Sequence, residues 1–104
     1  MIIVIAEIEL ASGTRASFLE EFHKVVPLVR DEVGFIEYVP TIDAETDITA
    51  QIPNRPDVVT VVEKWESLGA LKAHLVADHM QAYRGRVKEF VQGSVLRILE
   101  PANS

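Results

Sequence analysis

The residues of this chain best suited to chemistry fall in one stretch, VVEKWESLGALKAHLVADHMQAY, running from Val61 to Tyr83. It holds the single Trp, Trp65, together with Glu63, His74, Asp78, His79 and Tyr83. An imidazole exchanges protons near neutral pH, so His74 is the strongest candidate for a base; its plainer role is a helix histidine that caps or packs. Trp65 supplies a broad flat wall with one donor, suited to stacking a ligand, or equally a core aromatic at a strand end. Glu63 shares strand parity with Trp65 and projects to the same face. If that face is covered, Glu63 must be paired or carry a raised pKa that lets it exchange protons. On a subunit seam it is a salt-bridge partner instead.

Asp78 stands one helical turn beyond His74, where it can orient the imidazole or stabilise its charge. His79 lies about 140° around a continuous helix from His74, so the two should not converge on a metal. His23 belongs to a different helix, and no three-ligand cluster is evident, so no metal site is expected. Tyr38 and Tyr83 offer hydroxyls to a ligand oxygen, and Arg84 offers a cation to an anionic group. Each also suits a core edge or a solvated face. With no cysteine there is no thiol nucleophile, thiolate metal site or disulfide. No serine or threonine sits in the strained elbow of a hydrolase.

Six elements must position these groups. Residues 2–10 are rich in Ile and Val, apolar on both faces before alternating at Glu7 and Glu9, as in a strand that emerges into solvent. Ser12, Gly13 and Thr14 form a turn, with Ser12 or Thr14 capping a helix. Phe18, Phe22, Val25, Val26, Val29 and Val33 then recur at helical spacing. Pro27 should kink or divide that helix, and Gly34 should stop it. Phe35 to Thr41 alternates as a strand, with Ile36 and Tyr38 on one face. Residues 43–57 read as a long loop that covers a site or a subunit contact, pinned by Ile48 and Ile52. A strand from Asp57 to Trp65 hands over at Ser67, a good cap, to one helix through Leu68, Leu71, Leu75, Tyr83, Val87 and Phe90, loosened at Gly85. Gly93-Ser94 breaks it, Val95 to Leu99 is the last strand, and residues 101–104 are a tail.

This order predicts an α+β, ferredoxin-like β-α-β-β-α-β antiparallel sheet with two helices on one face, forming a single domain over residues 1–104. A sheet apolar on both faces cannot leave one of them in water, so two copies should pair through it as a dimeric α/β barrel. The chain has 104 residues, 48% of them hydrophobic and 25% charged, an ordinary composition for a globular domain. A net charge of −6 argues against nucleic acid. Arg84, Arg86 and Lys88, the densest cations, read as a solvated helix face. The opening MIIVIAEIEL lacks a basic flank and is far too short to span a membrane. The absence of cysteine suits a reducing cytoplasm.

The opening IIVIAEIEL, Gly13 at the first turn, RDEVGFIEY from Arg30 to Tyr38 and EKWESLGALKAHL from Glu63 to Leu75 together resemble the antibiotic biosynthesis monooxygenase family of the dimeric α/β-barrel superfamily. The resemblance covers nearly the whole chain. It implies a homodimer with a pocket between sheet and helices in each subunit. It also implies oxidation of a phenol, quinol or related small aromatic substrate by O2 without metal, flavin or haem. The haem-degrading relatives carry an Asn on the first strand and a Trp and a His on the second helix; the aligned helix positions here are His74 and Arg84, and that branch is set aside.

On this resemblance His74 takes a phenolic proton, Trp65 stacks the ring, and Tyr38, Tyr83 and Glu63 contact the substrate. A histidine near about 6.5 facing a phenol near about 10 makes that transfer uphill by roughly 5 kcal/mol. The pocket must therefore hydrogen-bond the phenolate, or the substrate must be more acidic, as quinols with electron-withdrawing substituents are. Two other classes fit the same groups: a proton-transfer isomerase or tautomerase, and a small-ligand binding or stress-response module without catalysis.

Overall fold

The computed structural model describes residues 1–102; of the expected tail, residues 103–104 lie outside the described residues. The elements run β1 (Ile2–Leu10), α1 (Arg15–Arg30), β2 (Phe35–Thr41), β3 (Val58–Trp65), α2 (Leu68–Val76), α3 (Asp78–Val87) and β4 (Val91–Leu99). The four strands form one antiparallel sheet in the order β2-β3-β1-β4. This is the expected ferredoxin-like α+β arrangement, with three helices where the sequence suggested two. β1 is central, hydrogen-bonded on both edges, which accounts for its nearly continuous apolar run.

Alternation sorts the sheet into two faces. Val4, Ala6, Val59, Val61 and Trp65 are buried with Phe18, Phe22, Val25 and Val29 of α1 and Leu71 of α2. The opposite face shows Val39, Val95 and Leu99 to solvent. The helices also stop short of β4, because Leu96 and Ile98, paired with buried Ala6 and Val4, stay exposed.

Several local expectations are corrected. α1 is a single helix through Pro27, whose missing N–H forfeits one backbone bond while Val25, Val26 and Val29 pack on either side. The helix ends at Arg30, before the pattern does, and leaves Val33 91% exposed. Thr14 is the cap residue, but its hydroxyl donates to Ala11 O at 2.7 Å instead of capping an N–H. A bulge between Phe35 and Glu37 puts Phe35 opposite Trp65 and Tyr38 opposite Glu63, so Phe35 shares the face of Tyr38 and Ile36 is the odd residue. The expected second helix is broken at Ala77, whose backbone is extended, and Gly85 lies inside α3. Gly93 and Ser94 belong to β4, which begins at Val91. Ile48 and Ile52 are exposed and pin nothing. The long loop is tied instead by Arg55, whose guanidinium meets Asp43 at 2.9 Å and Glu7 at 2.9 Å.

Candidate functional site

β3 ends at Trp65, and Ser67 turns the chain into α2 by accepting the Ala70 N–H at 3.1 Å. That tight handover carries His74, on the last turn of α2, back over the end of the sheet. His74 is 1% exposed and its ring centroid lies 4.5 Å from that of Trp65, which is fully buried. Tyr38 closes the other side, 5.3 Å from His74 edge-on and stacked against Phe22 at 5.1 Å. Glu63 accepts the Trp65 Nε1–H at 3.0 Å and stands 3.8 Å from His74 Nε2. Four of the five residues singled out from the sequence thus meet in one buried cluster.

A fifth member of the cluster was missed. Glu32, in the turn between α1 and β2, brings its carboxylate to 2.9 Å from His74 Nδ1 and 2.8 Å from His79 Nε2, both through Oε2. An ionised carboxylate only accepts, so neutral His74 carries its proton on Nδ1 and turns a bare Nε2 towards Glu63. Glu32, not Asp78, orients the imidazole; Asp78 opens the first turn of α3. The break at Ala77 resets the helical phase, which is why His74 and His79 converge on one group despite the angle expected of a continuous helix. They converge as hydrogen-bond donors: among the described residues no group of three or more His, Asp or Glu side chains has the arrangement of a metal site.

Gly34 makes this approach possible. Its φ of 82° is left-handed, and a Cβ there would lie 2.5 Å from Ala70 Cβ. The chain after α1 can therefore press against α2, with Glu66 N–H bonded to Gly34 O at 2.9 Å. A glutamate two residues before a glycine that opens a strand is the signal that sequence reasoning could have used.

The electrostatics follow from burial. Removal from water pushes the Glu63 carboxyl up to about 7, against the lowering effect of the Trp65 hydrogen bond and with a smaller push from the charge of Glu32. Burial lowers His74 below the ordinary histidine range, opposed by the hydrogen bond and charge of Glu32. Burial raises both Tyr38 and Tyr83, and the charge of Glu63 adds to each. Burial thus favours the neutral form of both groups, so the carboxyl holds its proton more firmly and the imidazole releases its own more readily.

A cavity of about 370 Å³ lies further along the same face, towards the C-terminal end of β1. Ile8, Phe18, Val87 and Val91 form its apolar walls, and of the candidates named from the sequence Tyr83 and Arg84 line it. Tyr83 meets Phe18 and Phe22 edge-on at 6.2 and 5.9 Å, so an aromatic layer stands between the cavity and the His74 cluster.

Comparison with known proteins places this geometry among relatives. The family model described as antibiotic biosynthesis monooxygenase matches residues 1–86. A curated Escherichia coli K12 protein, described as probable quinol monooxygenase YgiN, is 40% identical over 103 residues, covering 97% of this chain and 98% of the relative. A solved antibiotic biosynthesis monooxygenase superposes with a TM-score of 0.81 at 17% identity, covering 99% of this chain and 100% of that one. A conserved protein from Methanosarcina mazei Go1 gives 0.82 at 20% identity, covering 97% and 92%. At such identities the two structures speak to the fold alone.

Proposed function

The chain belongs to the antibiotic biosynthesis monooxygenase family, and on that footing we propose that it oxidises a quinol or related electron-rich phenol with O2, drawing on no metal, flavin or haem. The observation that carries this reading is the buried acid–base pair, Glu63 raised to about 7 and His74 lowered, beside an aromatic-walled cavity. A group that titrates near neutrality is matched to taking and returning a proton at that pH.

In this mechanism the ring occupies the cavity with its reacting hydroxyl towards Tyr83, the residue shared by the cavity wall and the field of Glu63. The phenolic proton passes by way of the Tyr83 hydroxyl, across the aromatic layer, to the His74–Glu63 pair, with Glu32 holding His74 in the tautomer whose Nε2 is bare. The electron-rich anion reduces O2, and the two combine at carbon as a peroxide. The stored proton returns to the outer peroxide oxygen. The ring carbon then loses its own hydrogen as a proton while the O–O bond breaks, so one oxygen stays as a carbonyl and the other leaves as water carrying both protons. Lowering His74 widens its gap from an ordinary phenol, so the favoured substrates are phenols more acidic than about 10. Trp65 is fully buried behind His74 and acts as its backing wall and as the donor to Glu63, in place of the stacking surface the sequence suggested.

The same pair also supports a proton-transfer isomerase, because nothing in the acid–base step requires O2. Oxygen uptake separates the two. Metal-free protein is mixed with a panel of benzo- and naphthohydroquinones beside His74→Ala, with autoxidation subtracted. Uptake that saturates with substrate and disappears in the variant is the expected result; equal uptake by the variant would remove His74 from the reaction. Consumption of substrate by wild type without O2 uptake would favour the isomerase.

The exposed Val39, Val95 and Leu99 on the bare sheet face, with Leu96 and Ile98 beyond the reach of the helices, support assembly as a homodimer. Sedimentation equilibrium should give twice the chain mass, and a single-chain mass would exclude the dimer.

A further inference from the structure

We infer that the cavity at Tyr83 is a binding site for an aromatic carboxylate, with Arg84 and Lys88 as the anion-recognising pair. This names a substrate class for the function proposed above and rests on it only for what happens after binding. The residues divide the cavity cleanly. Tyr83 and Val87, one helical turn apart on α3, form a buried row facing the sheet. Arg84 and Lys88 form the next row, at the same spacing, and line the rim. Ser94 of β4 stands in the same lining and adds a hydroxyl.

The charge distribution is what points to a ligand. The chain carries 16 acidic against 10 basic residues, yet no carboxylate lines this cavity. Elsewhere among the described residues four cations are answered, Lys24 and Arg86 by Glu21, Arg55 by Asp43 and Glu7, and Lys64 by Glu37, while Arg15, Arg30, Lys72 and Arg97, away from this cavity, are not. Among the described residues, Arg84 and Lys88 have no such partner. Arg84 is also pre-set, because its Nη2 donates to Leu75 O at 2.7 Å, across the break between α2 and α3. One contact of this kind fixes the guanidinium while leaving most of its five donors free. Two cations held at the edge of an apolar slot recognise a flat ring bearing one anionic group.

A singly charged carboxylate fits better than a phosphate. The pair lies on the last turn and C-cap of α3, where the helix dipole is negative and opposes a dianion. Phosphate sites draw on helix N-termini and backbone N–H groups, and α3 presents its other end here. A volume of about 370 Å³ is in the range of small-molecule sites and accommodates a two-ring aromatic. With the carboxylate at the rim, the ring extends along Phe18 and Val87 towards Tyr83, where the reacting hydroxyl belongs.

The test is anaerobic titration of the intact protein with 2-naphthoate and with 2-naphthol, followed by calorimetry and by NMR shifts of residues around Tyr83. Wild type should bind 2-naphthoate about tenfold or more tightly than 2-naphthol, with only the acid weakened by added salt. Arg84→Gln and Lys88→Gln should each reduce that preference and the double variant abolish it, with 2-naphthol affinity unchanged. Equal affinity for the two ligands in wild type, loss of both together in the variants, or binding of neither would overturn the inference. Oxidation is read separately. Turnover of neutral hydroquinones with no preference for acids would refute this site and leave the oxygenase standing. Selective naphthoate binding by a protein that consumes no O2 with any hydroxynaphthoate would do the reverse.

Discussion

The two ends of the helix-covered sheet face handle polar groups in opposite ways. At the end of β1 that pairs with Trp65, a carboxylate, an imidazole and an indole are sealed from water, and their polar atoms bond to one another and to Glu32. At the other end, near Ile8, the walls are apolar, the space is open, and two cations stand at its edge without carboxylate partners. The contrast teaches a division of labour. Burial is useful for tuning proton affinity, because desolvation is what displaces Glu63 and His74 from their ordinary values. Recognition needs the reverse, a surface left incomplete so that a ligand completes it.

The most severe way to break this contrast is to open the sealed end. Trp65→Ala removes the largest fully buried side chain, leaves His74 without its backing and takes the donor from Glu63. A loss of about 3–5 kcal/mol is expected, seen as a lowered midpoint in urea. The variant should also lose the elevated carboxyl value, since water entering the void would solvate Glu63. A variant that keeps its midpoint would show that the closed end is not held by packing.

How much of this was legible beforehand differs between the two ends. The strands and their order along the chain followed from periodicity, but the face that the helices cover did not, because the run at residues 2–5 is apolar on both sides. His74, Trp65, Glu63 and Tyr38 were found because each carries a side chain able to exchange a proton, hydrogen-bond or stack, with Glu63 tied to Trp65 by strand parity. Glu32 was not, since its partners lie 42 and 47 positions away and its own neighbourhood, Asp31-Glu32-Val33, reads as a solvated turn. The break at Ala77 was equally hidden: an alanine is the best helix former, and tertiary packing overrides that preference. The cavity depends on how far the helices reach across β4, a quantity that no periodicity records.

A gentler change separates burial from packing. Glu63→Gln keeps the shape and the acceptor for Trp65 Nε1–H while removing the charge. In the wild type the folded carboxyl sits near 7 against 4.5 for the free group, so the folded state holds the extra proton between those values. Its contribution is complete below about pH 4.5 and is lost as the pH rises through 7, amounting to roughly 3 kcal/mol. His74, lowered on folding, works in the opposite sense: its contribution is present above the unfolded value of about 6.5 and fades as the pH falls below it. The difference between variant and wild type isolates Glu63. Glu63→Gln should therefore match wild type near pH 4 and become the more stable protein above pH 7. A difference that does not vary with pH would mean that Glu63 titrates normally and that this end is wetter than its burial indicates.

The smallest change tests the outer support of the sealed end. Glu32→Gln leaves an oxygen able to accept the His74 Nδ1–H but withdraws the negative charge. Its hydrogen bond and its charge are the two influences that hold His74 up against desolvation. With the charge gone, His74 should titrate lower still, and its neutral form should keep the proton on Nδ1 as long as the amide oxygen faces it. A charge-assisted hydrogen bond becomes an ordinary one, so a stability loss of about 1 kcal/mol is expected. Nitrogen-15 shifts of the ring report both quantities, since bare and protonated nitrogens resonate far apart. A His74 that titrates unchanged in the variant would mean that Glu32 serves His79 alone, and the tautomer assigned to the buried base would lose its cause.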